Sequence, residues 1–156
     1  MQFRKTDLSE IFCWIAETYG AVAEEGGKTL TTRIDSKVCV WGNRELISQM
    51  LVNLVENAIT HTPAGSQIEM SLTITAQGPM GIVADSGAGI APGEREAVFR
   101  RFYRGDRSRT SPGNGLGLTL VAAVARAHGI EIELEDNGPG LRVLLDFASS
   151  CASRHR

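Results

Sequence analysis

Asn53 and Asn57 stand four residues apart in Asn53-Leu54-Val55-Glu56-Asn57-Ala58-Ile59-Thr60, a spacing that puts both carboxamides on one face of a helix. Gln49, Glu56 and Thr60 lie close to that face and make a polar stripe beside the apolar one. Asparagine is a mediocre helix former, so a pair of them at this spacing points to a use for the amides. A carboxamide oxygen is a hard, neutral ligand, suited to a Mg²⁺ ion that already carries phosphate oxygens and waters. A solvated helix face produces the same stripe. Asp85 opens Asp85-Ser86-Gly87-Ala88-Gly89-Ile90. An ionised carboxylate only accepts hydrogen bonds. At a strand end it can take one from the exocyclic amine of adenine and would repel the carbonyl oxygen that guanine shows at that edge. The two glycines let a planar base lie against the backbone, although a plain turn has the same letters. Gly113-Asn114-Gly115-Leu116-Gly117-Leu118 leads into a helix. Free N–H groups and the positive end of the helix dipole can cradle phosphate there; a flexible loop running into a helix is the alternative. In Phe99-Arg100-Arg101-Phe102-Tyr103-Arg104 the phenylalanines are three apart with arginines between. They suit a hydrophobic loop anchor, from which Arg101 and Arg104 can also reach phosphate.

Elements must hold these groups in place. Asp7-Leu8-Ser9-Glu10 reads as a capping box, with Glu10 reaching back, ahead of Ile11, Trp14, Ile15, Tyr19 and Val22 at helical spacing. That helix should stop before Gly26-Gly27. Two short β-rich runs follow, Leu30–Ile34 and Val38–Trp41. Asn43 caps a second helix with its stripe at Leu46/Ile47, Met50/Leu51, Leu54/Val55 and Ala58/Ile59, ending ahead of Pro63. Ser66–Ala76 alternates as a strand, Gly78-Pro79 turns the chain, and Met80–Ala84 is a short apolar strand that delivers Asp85. Residues 85–115 read as irregular apart from a short helix near Glu94–Phe99. Leu116–His128 is a third substantial helix. Ile130–Leu134 and Leu141–Phe147 form a hairpin around Asn137-Gly138-Pro139-Gly140. Strands come in adjacent pairs instead of alternating singly with helices. That predicts an α/β (α+β) two-layer sandwich, with a mixed sheet of about five or more strands covered on one face by three helices.

The whole sequence sets bounds on this reading. Its 156 residues predict one domain over 1–148 and a polar, frayed tail over 149–156. Hydrophobic residues at 42% and charged residues at 22% exclude an intrinsically disordered chain. The net charge of −2 argues against a nucleic-acid partner. No apolar run suits a bilayer span and no signal peptide is legible, so direct membrane contact is not expected. Cys13, Cys39 and Cys151 are widely spaced with no CxxC pair, and read as reduced thiols. Of the 17 glycines, Gly87, Gly89, Gly93, Gly105, Gly113, Gly115 and Gly117 fall within one short stretch, so the glycine excess marks a site rather than a composition.

The four motifs in this order resemble the ATP-binding catalytic domain of bacterial two-component sensor histidine kinases. These belong to the GHKL superfamily, shared with DNA gyrase, a heat-shock chaperone and mismatch-repair proteins. Asn53–Pro63 is similar to the family's asparagine box, Asp85–Ile90 to its first glycine box, Phe99–Phe102 to its phenylalanine box and Gly113–Leu118 to its second glycine box. The resemblance runs from Asp7 to Phe147. It implies a GHKL-type fold and the cofactors ATP and Mg²⁺. Asn57 would ligate the metal, with Asn53 beside the phosphates, and Asp85 would bind the adenine amine. Gly87, Gly89, Ile90, Gly113, Asn114, Gly115, Leu116, Gly117 and Leu118 would shape the pocket. Tyr103–Asn114 would be a mobile lid, with Phe102, Tyr103 and Arg104 contributing to nucleotide binding. Two residues depart from the pattern. Thr60 stands where a basic residue is frequent, and His61 where a tyrosine is frequent, so His61 would flank the adenosine only.

Other matches are set aside. Asp136–Gly140 has the letters of a first glycine box but sits between two strands, where it reads as hairpin chemistry. Gly27-Lys28-Thr29 follows a helix, not the strand a P-loop needs. His61-Thr62-Pro63 lacks the acidic residue of a phosphoacceptor box, and no phosphoacceptor histidine is found in this chain. The expected function is therefore transfer of the γ-phosphoryl of Mg-ATP to a histidine on a separate dimerisation domain of a parent kinase, with a response regulator downstream. The fragment would be cytoplasmic and monomeric, and its parent an inner-membrane protein or a free one. Two alternatives stay open: an ATP hydrolase or serine kinase of the same superfamily, and a nucleotide-binding module without chemistry. Members that activate water or a hydroxyl usually carry a glutamate four residues before the magnesium asparagine. Here that position is Asn53.

Overall fold

Asp7 turns a strand into a helix: its backbone is extended (φ −84°, ψ 102°) and its carboxylate accepts the Glu10 N–H at 3.0 Å, satisfying one of the free donors of a first helical turn. Glu10 does not reach back to Asp7; it pairs at 2.8 Å with Arg44 of the second helix. The computed structural model describes residues 2–87 and 114–152. In chain order these are β1 (Arg4–Asp7), α1 (Leu8–Glu25), β2 (Thr29–Ile34), β3 (Cys39–Gly42), α2 (Arg44–Thr60), β4 (Gln67–Thr75), β5 (Gly78–Asp85), α3 (Asn114–His128), β6 (Glu131–Asp136), β7 (Leu141–Asp146) and α4 (Ala148–Ala152).

Five strands form a mixed sheet in the order β2-β4-β5-β7-β6, with β2 and β4 parallel and the other neighbours antiparallel. Strand periodicity puts alternate residues on one face. Ile68, Met70 and Leu72 of β4 oppose Asp85, Val83 and Gly81 of β5, and Val83 and Gly81 in turn oppose Val143 and Leu145 of β7. The apolar stripes of the helices close over these residues. Leu8, Ile11, Phe12 and Ile15 of α1, Met50, Leu51, Leu54 and Val55 of α2, and Val121 and Val124 of α3 are all buried in one core. This is the expected two-layer sandwich.

Two expectations need correction, and the two β-rich runs Leu30–Ile34 and Val38–Trp41 fall in different sheets. β2 joins the main sheet beside β4, while β3 pairs with β1 in a separate two-stranded sheet. A parallel neighbour needs a crossover, and β3 with α2 supplies it. The turn before β5 is Ala76-Gln77, and Gly78-Pro79 already belongs to the strand. The tail is not frayed over its first residues. Asp146 caps α4 by accepting the Ala148 N–H at 2.9 Å. Ser150 is fully buried, and its hydroxyl donates to the His128 carbonyl at 2.9 Å. Polar letters there satisfy a buried carbonyl instead of facing water. Residues 153–156 and the expected helix at 94–99 lie outside the described residues.

His128 ties α3 to α2. It is 3% exposed. Nε2 accepts the backbone N–H of Asn43, the α2 cap, at 3.1 Å, so Nδ1 carries the proton and donates to the Val124 carbonyl at 2.8 Å. The ring of Phe3 stacks on it with centroids 4.5 Å apart. Burial pushes the pKa below the ordinary 6.5, against a smaller upward pull from the Val124 carbonyl. The unfolded chain therefore takes up a proton near pH 6.5 that the folded chain refuses until lower pH. Stability is complete above that value and falls as pH drops from it towards the lowered folded pKa. Denaturant melts of wild type and His128→Gln between pH 7.5 and 5 should show wild type losing stability relative to the variant. A difference that stays constant across that range would show that His128 does not titrate with folding.

Candidate functional site

The Asn43 side chain starts α2 by accepting the Leu46 N–H at 2.9 Å. From there the apolar stripe buries Ile47, Met50, Leu51, Leu54, Val55, Ala58 and Ile59. Asn53 and Asn57 flank that stripe, half-buried. Neither carboxamide is hydrogen-bonded to any other described residue, so both are available to a ligand. Glu56 points elsewhere: it is exposed, and its carboxylate accepts the Tyr19 hydroxyl of α1 at 2.9 Å. Burial, and then the Glu56 carboxylate, push the Tyr19 pKa above its ordinary 10, which keeps the phenol a donor at neutral pH. The helix ends where Lys28 Nζ donates to the Ile59 carbonyl and the His61 N–H bonds Asn57 O at 3.0 Å. His61 is the exposed C-cap.

Thr62 then turns inward. It is buried, its hydroxyl donates to the Ala58 carbonyl at 2.8 Å, and its methyl packs on Gly87. A Cβ at Gly87 would lie 2.6 Å from Thr62 Cγ2, so only glycine fits. This contact brings the end of the asparagine segment onto the Asp85-Ser86-Gly87 corner. Asp85 is the last residue of β5. Its Oδ1 accepts the Gly87 N–H at 2.8 Å and the Leu141 N–H at 3.3 Å. Oδ2 meets no donor among the described residues. Ser86 fixes the other side of the corner, donating its N–H to Gln67 O at 3.1 Å and accepting the Gln67 N–H on its hydroxyl at 2.9 Å.

The third component is the first turn of α3. Helix α3 begins at Asn114, two residues earlier than the periodicity suggests, so Asn114, Gly115, Leu116, Gly117 and Leu118 are helical. The two helices pack together. Because the C-terminal His128 of α3 meets the N-cap of α2, they run in opposite directions. The N-terminal, electropositive end of α3 is thereby set towards the half of α2 that carries Asn53 and Asn57. Gly89, Ile90, Phe102, Tyr103, Arg104 and Gly113 lie outside the described residues, as do Arg101, Arg107 and Arg109.

Sequence reasoning overlooked three contributors. Thr62 had no signal beyond its place after α2. Tyr19 was assigned to the apolar stripe of α1, although a tyrosine there carries a hydroxyl that needs a partner. The Asn137–Gly140 turn does close the β6–β7 hairpin, with Asn137 N–H to Gly140 O at 3.0 Å. It also touches Asp85 through Asn137 and Leu141.

The fold is shared with solved proteins. The catalytic domain of histidine kinase ThkA, in a nucleotide-free form, superposes with a TM-score of 0.81 over 93% of this chain and 96% of that one, at 24% identity. Residues 42–149 match the family of histidine kinase-, DNA gyrase B-, and HSP90-like ATPases, and the chain belongs to that family. Among curated relatives, sensor histidine kinase RppB of Synechocystis sp. is 39% identical over 131 residues, covering 82% of this chain and 29% of RppB. Sensor-like histidine kinase SenX3 of Mycobacterium tuberculosis is 37% identical over 124 residues, covering 78% of this chain and 30% of SenX3. The chain spans less than a third of the length of these relatives. Among the described residues, no helix is long and apolar enough to cross a membrane.

Proposed function

We propose that this chain is the Mg-ATP-binding catalytic domain of a cytoplasmic kinase segment. It would donate the γ-phosphoryl to a histidine on a separate dimerisation domain of its parent, from which a response regulator is served. The observation that carries the reading is the uncommitted pair of carboxamides, Asn53 and Asn57, on the half-buried face of α2 next to the Asp85 corner. Their oxygens are hard, neutral donors that suit Mg²⁺ shared with phosphates, so the residues present fit that ion. When bound, the metal would neutralise phosphate charge. Asn57 would hold it, with Asn53 beside it towards the phosphates. Asp85 Oδ2 would accept the adenine amine, and Gly87 would shape the pocket by letting Thr62 pack against the corner that carries Asp85. Backbone N–H groups of Asn114, Gly115 and Leu116 in the first turn would meet phosphate at the α3 dipole, with Gly117 and Leu118 behind them in the helix. Gly89, Ile90, His61, Phe102, Tyr103, Arg104 and Gly113 would complete the nucleotide site.

A kinase for histidine is favoured over a hydrolase by Glu56. A water or hydroxyl nucleophile needs a general base, and Glu56, the acidic residue adjacent to Asn57, projects about 100° away from it around the helix and is hydrogen-bonded to Tyr19. A neutral imidazole is already nucleophilic near pH 7 and needs no such help. Among the described histidines, His128 is buried with both nitrogens engaged, and His61 follows α2 as its C-cap without the acidic neighbour of a phosphoacceptor box. Neither is placed as an acceptor.

The test supplies the purified chain with γ-labelled ATP and Mg²⁺, with and without the parent's dimerisation domain. The label should pass to the added domain and leave this chain almost unlabelled. Asn57→Ala should stop transfer without lowering the melting midpoint. Strong self-labelling, or transfer that survives Asn57→Ala, would refute the assignment.

A further inference from the structure

The strand end that presents Asp85 is gripped from the β7 side by the turn that closes the β6–β7 hairpin. The β5–β7 ladder stops at Ala84 opposite Arg142, one residue short of Asp85. The Asp85 carbonyl is therefore beyond the last ladder pair on that side. Asn137, in the turn between β6 and β7, reaches it: Nδ2 donates to Asp85 O at 2.7 Å. Gly140 then lets the turn lie flat on the corner. At φ +112°, a Cβ there would fall 1.9 Å from Asp85 O and 2.8 Å from Ser86 Cα, so no other residue fits without displacing β5. That close approach delivers the Leu141 N–H to Asp85 Oδ1 at 3.3 Å, where it shares the oxygen with Gly87 N–H. Main chain and carboxylate of one residue are thus fixed by one turn, and only Oδ2 is left without a donor among the described residues.

We propose that the Asn137–Gly140 turn is the positioning element of the base-binding carboxylate, and that Asn137 and Gly140 set the preference for adenine over guanine by holding Asp85 Oδ2 as an acceptor in one place. The inference rests on the reading of Asp85 as the adenine partner. An acceptor pinned by two N–H groups on its other oxygen cannot swing aside. It rewards the exocyclic amine of adenine and repels the guanine carbonyl oxygen at the same edge. A carboxylate free to rotate would still accept from adenine but would also turn away from guanine. Loosening the turn is therefore read in the ratio of the two affinities more than in either one. Asn137 is a positioning residue, since it meets Asp85 and not the base.

The experiment measures Mg-ATP and Mg-GTP binding by calorimetry for wild type, Asp85→Asn, Asn137→Ala, Gly140→Ala and the double variant Asp85→Asn/Asn137→Ala, with a melt of each. Wild type should prefer ATP, and Asp85→Asn should erase most of that preference. Asn137→Ala should lower the ATP-to-GTP ratio about three- to tenfold, as for one hydrogen bond, with a melting midpoint close to wild type. In the Asp85→Asn background the same change should leave the ratio where it is. Gly140→Ala should act in the same direction and more strongly; if it does not fold, Asn137→Ala alone decides. If wild type shows no preference for ATP, or Asp85→Asn leaves it intact, the base-binding reading of Asp85 fails. If those controls hold and Asn137→Ala leaves the ratio unchanged, the positioning role fails and the turn only closes a hairpin.

Discussion

Asp85→Asn should weaken ATP binding by about 5- to 150-fold, the equivalent of about 1–3 kcal/mol for a half-buried acceptor that no longer matches its donor. The substitution is chosen for what it keeps. An asparagine retains Oδ1, so the Gly87 and Leu141 N–H groups at 2.8 and 3.3 Å keep their acceptor, and the corner should hold its shape. What changes is the second terminal atom, from an acceptor to an NH₂ donor. Facing the adenine amine, a donor meets a donor; facing the guanine carbonyl, the new group is complementary, so GTP binding should improve relative to ATP. Calorimetry on the folded variant gives the answer. Unchanged ATP affinity at an unchanged melting midpoint removes Asp85 from the base site.

The largest effect on stability is expected from Phe12→Ala, a loss of about 3–5 kcal/mol. Phe12 is fully buried on α1 and lies under the middle of β5. A Cβ at Gly81 would come within 3.0 Å of Phe12 Cζ and 3.2 Å of Phe147 Cε2, so Gly81 makes room for two aromatic rings against the strand. Truncation leaves a ring-sized void that α1 and the sheet cannot both close. The strand above it is the one that ends in Asp85, so the same packing that holds the sheet to α1 supports the site. In a chain of this size the melting midpoint should drop by about 6–20 °C. A loss below about 1 kcal/mol would mean that α1 repacks freely and that Phe12 is no anchor.

What the sequence determined is what local spacing and chemistry can express. Helix α2 was legible from the Asn43 cap to Pro63, because its apolar stripe has the helical period and its start and stop residues are unambiguous. The same spacing placed Asn53 and Asn57 on one flank, and Asp85 at the end of a strand. Long elements with strong periodicity behave this way because their side chains answer to neighbours three, four or two residues off. Strand partners were less legible. β2 and β3 are adjacent in sequence and lie in different sheets, and Arg4–Asp7, too short and charged to show alternation, is the strand that β3 pairs with. Register and neighbour are settled by which faces the helices cover, and four-residue strands carry too little pattern to announce it.

Three features of the site exist only in the fold. Tyr19 and Glu56 are 37 residues apart, and their hydrogen bond depends on how α1 lies across α2. His128 and the Asn43 cap are 85 apart, and their contact sets the opposed directions of α2 and α3. Asn137 and Asp85 are 52 apart. Asn137–Gly140 was read correctly as a turn, since glycine and asparagine preferences are local. Where that turn presses is decided by β7 pairing with β5, a long-range choice that brings a hairpin tip onto the carboxylate. The sequence determined which groups are proposed to meet a nucleotide; the tertiary structure alone decided which neighbours hold them still, because a hydrogen bond between distant residues has no signature in either one's local spacing.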